Sequence, residues 1–174
     1  MKLPSVNVKK ILYATDLSEN AHYAFAYAVS LANLYGATIV ILHVLTEIPN
    51  LDSSVQAYID AERWQEIKDR NMKEVRESLA GKKRDHVAIR EALDQFCEDV
   101  KSASNEQFET DEIVVKRGNT VEIILEESQK RNCDLIVMGT QGHGILADVM
   151  MGSTARKVIR RSPTPVLVVR LPKS

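Results

Sequence analysis

The chain has 174 residues, 44% apolar and 27% charged, which argues for one folded domain with a true core and against a disordered or collagen-like chain. Its 23 Lys and Arg against 24 Asp and Glu leave a net charge of −1, so attachment to nucleic acid or to an anionic membrane through overall charge is excluded. No apolar run approaches the roughly 18 residues of a membrane span, and Met1 to Lys10 lacks a signal peptide's apolar region, so a cytoplasmic protein is expected.

Ile11-Leu12-Tyr13-Ala14 is a short apolar run followed by the polar turn Thr15-Asp16-Leu17-Ser18. From Asn20 to Tyr35 the residues Ala21, Ala24, Phe25, Ala28, Val29 and Ala32 recur at spacings of three and four, one face of a helix that Gly36 closes. Ala37 to Val44 contains Ile39-Val40-Ile41-Leu42 without alternation, the mark of a strand covered on both faces. Strand, helix and strand form a βαβ unit with a right-handed crossover.

The middle of the chain predicts two helices, Leu51 to Leu79 and His86 to Ser104, divided by Gly81-Lys82-Lys83-Arg84-Asp85. The second carries a clean stripe at Ile89, Ala92, Leu93, Phe96, Cys97 and Val100. One helix suffices for a crossover, so residues 81–105 read as a helical insertion within a single domain over 1–174, either packed on the domain or projecting as an arm. Trp64 reads as core beneath it.

Glu112 to Lys116 is the third strand and Gly118 a turn. Asn119 with Glu122 then makes a capping box adapted to Asn, for a helix through Arg131 that buries Val121, Ile124 and Leu125. Asp134 to Met138 is the fourth strand, Ser153 to Arg161 a helix stopped by Ser162-Pro163-Thr164-Pro165, and Val166 to Val169 the last strand. Five buried strands alternating with helices predict an α/β fold, an open parallel sheet with helices on both faces.

The fourth strand leads into Gly139-Thr140-Gln141-Gly142-His143-Gly144, and after Met151 come Gly152-Ser153-Thr154, a Gly-x2-Gly-x9-Gly-Ser spacing. Gly139 leaves the carboxyl edge of a strand, where open α/β sheets bind ligands. Gly142 and Gly144 permit close approach of backbone N–H groups to an anion. Gly152 removes a side chain where a helix begins, and Ser153 and Thr154 offer hydroxyls, N–H groups and the positive end of the helix dipole to a phosphate. The spacing is neither the P-loop nor the dinucleotide fingerprint.

At a doubly wound switch point the first and fourth strands are neighbours, so Ala14-Thr15-Asp16 faces the glycine loop. Asp16 is an acceptor for a ribose hydroxyl or an adenine amino group, or else an acid at a helix N-terminus. Ser18 reads as the N-cap. Val44 offers its backbone to a base, while His43 reads as a satisfied histidine at a sheet end. The two cysteines, Cys97 and Cys133, read as reduced thiols used as small apolar side chains, and the four scattered histidines give no zinc spacing.

Lys10 to Ala21 (Lys-Ile-Leu-Tyr-Ala-Thr-Asp-Leu-Ser-Glu-Asn-Ala), Ile41-Leu42-His43-Val44, the Gly-x2-Gly-x9-Gly-Ser spacing and Ser162 to Val169 (Ser-Pro-Thr-Pro-Val-Leu-Val-Val) together resemble the universal stress protein family, in its order of motifs. The resemblance implies strand order 3-2-1-4-5, the fold of the adenine nucleotide alpha hydrolases, a homodimer paired through Val166 to Val169, and the ATP-binding branch. It also implies roles by position. Asp16 recognises adenine, with the Ala14, Thr15 and Val44 backbones framing it and Met138 at the ribose or base. Gly139, Gln141 and Gly142 line ribose and phosphates, and Gly152, Ser153 and Thr154 bind phosphate. Some relatives carry Pro at the position of Ala14 and His at that of Gln141.

The ligand implied is ATP, with AMP or ADP as alternatives and Mg²⁺ accompanying the phosphates. No residue pair has a recognisable catalytic spacing; Asp16, His143, Arg156 and Lys157 are loose candidates only. The expectation is therefore a nucleotide-dependent regulatory or signalling protein of the stress response. The alternatives are a slow ATPase or autophosphorylating enzyme, and an interaction scaffold that needs no nucleotide.

Overall fold

In a computed structural model the described residues are 3, 5–45, 59, 60, 62–67, 81–103, 108–140 and 151–170, with side chains described from 86 in the helix that begins at Gly81. The strands are β1 (Lys10–Thr15), β2 (Thr38–Leu45), β3 (Glu109–Arg117), β4 (Leu135–Gly139) and β5 (Val166–Val169). The long helices are α1 (Glu19–Tyr35), α2 (Gly81–Ala103), α3 (Thr120–Lys130) and α4 (Ser153–Arg161), and residues 62–67 are also helical. The strands form one sheet in the order β3-β2-β1-β4-β5, every neighbouring pair parallel. The fold class is the expected one.

The strictly alternating side chains of β1 and β2 feed two separate cores. On one face Ile11, Tyr13, Ile39 and Ile41 meet Ala24, Phe25 and Ala28 of α1 and Ile89, Leu93 and Cys97 of α2. On the other, Leu12, Val40 and Leu42 meet Val121 and Ile124 of α3 and Ala155 and Val158 of α4. Trp64 is buried in the α1–α2 core, where Phe25 also touches Phe96 and Phe108.

Local chemistry explains the boundaries. Gly36 ends α1 at φ 63°, a left-handed cap that a side chain would strain. Asn119 Oδ1 accepts from the N–H groups of Val121 and Glu122 and caps α3. The expected reciprocal half of that capping box is absent, because Glu122 turns its carboxylate to Arg161 of α4 at 2.6 and 3.0 Å. At the opposite end of the sheet from β1's carboxyl terminus, Asp134 Oδ2 accepts from the N–H groups of Lys9 and Lys10, tying the start of β4 to β1.

Two expected boundaries are corrected. The Gly81 to Asp85 divider is helical, part of α2; Lys and Arg are good helix formers, and the one breaker, Gly81, occupies the first position. The third strand begins at Glu109 rather than Glu112, because it pairs with β2 through a register irregularity at Ile39/Val40 and Asp111 bonds Lys10 Nζ at 2.7 Å.

Candidate functional site

β1, β2 and β4 end at the same edge of the sheet, and their last residues create a floor. Ala14 stands opposite Met138 across the β1–β4 pair, and Thr15 opposite His43 across β1–β2. Ala14, Val44 and Met138 share one apolar cluster with Ala155, in the first turn of α4, and Met151 packs against it. Three of the expected site residues, Ala14, Val44 and Met138, therefore converge on the α3–α4 face with Ala155 and Met151, the chain neighbours of Thr154 and Gly152, beside the N-terminus of α4. This is the topological switch point, where β1 feeds α1 on one face and β4 feeds α4 on the other.

Asp16 follows β1 directly and is part-exposed at this edge. Its Oδ1 accepts from the Ser18 N–H at 3.1 Å and from the Ser18 hydroxyl at 2.6 Å, which fixes the carboxylate's orientation. Ser18 is the N-cap residue of α1, as expected, but its side chain serves Asp16 and makes no cap hydrogen bond.

The turn is strained. Leu17 has φ 64°, a left-handed conformation that costs an ordinary residue ~1–2 kcal/mol. It is held there by near-complete burial of its side chain and by its N–H donating to Thr15 Oγ1 at 3.1 Å. Below the turn, the Tyr13 hydroxyl donates to the Ala21 carbonyl at 2.6 Å, and the His43 ring meets the Thr15 carbonyl at 2.9 Å.

Across the edge, Thr140 N–H donates to the Val169 carbonyl at 2.9 Å, and Gly152 N–H to the Thr140 carbonyl at 2.7 Å. The two ends of the glycine-rich loop are thereby joined to each other and to the end of β5. Gln141, Gly142, His143 and Gly144 lie outside the described residues. Gly152 has φ −55° and ψ 152°, which any residue adopts. With its N–H already engaged, what it leaves at the mouth of α4 is the absence of a side chain. Ser153 and Thr154 begin α4, whose first-turn N–H groups have no acceptors within the helix and carry the positive end of its dipole. Arg156 Nη2 donates to the Met151 carbonyl at 3.1 Å, so this cation braces the loop's end.

The cysteines take no part. Burial pushes the Cys97 thiol up to about 12 and the Cys133 thiol to about 11, which leaves both protonated and unreactive near neutral pH. No group of three metal-ligating side chains occurs among the described residues, and none of their helices is long and apolar enough to cross a membrane. Sequence reasoning missed three things: the strained Leu17, the Thr140 closure and the Arg156 brace. A leucine at positive φ leaves no trace in sequence, whereas His43, a polar residue inside the apolar run Ile39 to Leu45, was a visible signal of the bond beneath the turn.

The family model described as the universal stress protein family matches residues 7–170. A universal stress protein of Methanocaldococcus jannaschii is 27% identical over 182 aligned positions, covering 95% of this chain and 97% of its own. Its solved structure superposes with a TM-score of 0.62, covering 97% of this chain and 100% of that one. The universal stress protein UspA of Lactobacillus plantarum superposes with a TM-score of 0.60 at 26% identity, covering 95% of this chain and all of its own. A universal stress protein solved in complex with cAMP shares the fold, with a TM-score of 0.57, 20% identity, and coverage of 94% and 97% of the two chains.

Proposed function

The chain belongs to the universal stress protein family, and from that premise we propose that it binds an adenine nucleotide, ATP foremost, across the carboxyl edge of its sheet and acts as a nucleotide-dependent regulatory protein of the stress response. The observation that carries the reading is the juxtaposition of an oriented carboxylate, an apolar floor and a helix N-terminus at one switch point. Asp16 accepts from the exocyclic amino group of adenine, which donates and so complements a carboxylate. The Ala14, Thr15 and Val44 backbones frame the base, and Met138 lies under the base or ribose. Gly139, Gln141 and Gly142 line the ribose and phosphates.

The phosphates rest against the first turn of α4, where N–H groups of Ser153 and Thr154 point outward and the dipole supplies roughly half a positive charge. Gly152 keeps the approach open. Mg²⁺ neutralises part of the triphosphate when it accompanies it, and no residue is assigned a catalytic role. Adenine nucleotide in the cAMP complex of a related fold agrees with this reading. Occupancy stabilises whichever state binds best by RT ln(1 + [L]/Kd), and that differential is the regulatory signal.

Calorimetric titration of the purified protein with ATP, with and without Mg²⁺, and with GTP, tests it. One saturable site per chain is expected for ATP. GTP turns its O6 acceptor toward the Asp16 carboxylate and is expected to bind at least about tenfold more weakly. Absence of heat and of any thermal shift with ATP, or equal binding of GTP, contradicts the reading.

A further inference from the structure

We propose that His43 is a positioning residue for this nucleotide site, holding from the opposite face of the sheet the turn that presents Asp16. The inference rests on the nucleotide reading above and adds a determinant to it. His43 is fully buried in β2, where every other side chain from Ile39 to Leu45 is aliphatic. An aliphatic side chain would fill that position without the desolvation of an imidazole, so the ring's presence calls for a polar purpose.

Its neighbours Leu42 and Val44 lie in the α3–α4 core, and Ile41 and Leu45 in the α1–α2 core. Alternation therefore places His43 on the α1 side, away from the proposed nucleotide. From there its Nδ1 meets the Thr15 carbonyl at 2.9 Å. A carbonyl oxygen only accepts, so Nδ1 carries the proton and donates.

The carbonyl it grips belongs to the peptide that joins Thr15 to Asp16, and the orientation of that peptide sets where the Asp16 side chain leaves the backbone. The next residue is the strained Leu17, held by the hydroxyl of the same Thr15. Ser18 then fixes the carboxylate itself. Those two contacts are local to the turn. The His43 bond comes from another strand, and the peptide after His43 leads to Val44, whose backbone is the other wall proposed for the base. Where the β1–β2 ladder ends, at Thr15 and His43, this hydrogen bond adds a side-chain tie between the peptide that leads to the acid and the strand that carries the opposite wall.

The test compares His43→Leu, which fills space without a donor, with His43→Asn, whose amide nitrogen stands near the Nδ1 position. ATP titration of both, with circular dichroism and thermal melting alongside, separates positioning from packing. His43→Leu is expected to raise the Kd for ATP by about tenfold, the equivalent of one buried hydrogen bond, and His43→Asn to stay within about threefold of the unsubstituted protein. Unchanged affinity in folded His43→Leu overturns the role, as does an equal loss in both variants, which would assign the effect to ring volume.

Should His43→Leu fail to fold, ¹⁵N NMR of the unsubstituted protein's imidazoles decides. Protonation at Nδ1 and a shift of that proton on saturation with ATP are expected, and an Nε2–H tautomer or an unmoved resonance overturns the proposal. Failure of the unsubstituted protein to bind ATP removes the nucleotide reading and this role together, and is told apart because it needs no substitution.

Discussion

At the scale of single residues, Asp16 is the acid on which the proposed recognition turns, and its surroundings make it a clean target. Asn in its place retains an oxygen that still accepts from the Ser18 N–H and hydroxyl, so the turn survives Asp16→Asn. The substitution removes the charge and one carboxylate oxygen from the side chain proposed to meet the adenine amino group, and is expected to weaken ATP binding by roughly tenfold to a hundredfold, read by calorimetry, with the melting temperature of the free protein nearly unchanged. Gly152→Val is compatible with the backbone found there, φ −55° and ψ 152°. It is expected to leave circular dichroism intact and abolish ATP binding by placing a branched side chain over the first turn of α4. The buried thiols give a prediction of opposite character. Cys97, held up to about 12, keeps its proton in the native state while the unfolded chain releases it near the ordinary thiol value. Its contribution to stability is complete below that ordinary value and falls as pH climbs from about 9 toward 12, so the urea midpoint should decline over that range. Maleimide should label neither cysteine at pH 7 until the protein is unfolded.

At the scale of elements, the sequence was most readable where period and punctuation agree. The stripe of α1 with Gly36 at its end, and the apolar runs of β1, β2, β4 and β5, appear within one residue of where the sequence predicts them. Asn119 shows how a local rule holds only in part: its own half of the capping box forms, while Glu122 is drawn to Arg161 of α4 by a partner that lies far off in sequence. Asn119→Ala is expected to cost about 1 kcal/mol in urea unfolding, because the N–H groups of Val121 and Glu122 lose their acceptor. The start of α2 was hidden because a Gly followed by three basic residues looks like a break, although only the Gly opposes helix. The strained turn after β1 was hidden for a different reason. Leu17 takes its left-handed backbone from the burial of its side chain and the hydroxyl of Thr15, tertiary effects with no sequence signature.

At the scale of the whole molecule, strand order was legible because the chain repeats a strand-helix-strand logic whose crossovers have one hand, which brings β1 and β4 together at the centre. That topology makes neighbours of residues 124 positions apart: Ala14 faces Met138, and both share a cluster with Ala155 in the first turn of α4. Among the described residues the sheet ends at β5, which pairs with β4 alone. Its outer edge leaves strand hydrogen-bonding groups to be covered. We propose that a second copy pairs there through Val166 to Val169, and sedimentation at micromolar concentration should give twice the mass of the 19.5 kDa chain. A species of the single-chain mass throughout would refute the pairing. Because the Val169 carbonyl also anchors Thr140 at the root of the glycine-rich loop, the edge and the proposed phosphate site share a peptide.

The most direct measurement is a crystal structure of the protein grown with saturating ATP. Density for the adenine amino group within hydrogen-bonding distance of the Asp16 carboxylate, with phosphate oxygens on the N–H groups of Ser153 and Thr154, is the predicted result. Nucleotide bound at another surface, or this edge of the sheet filled by the chain's own side chains with no nucleotide present, would contradict it.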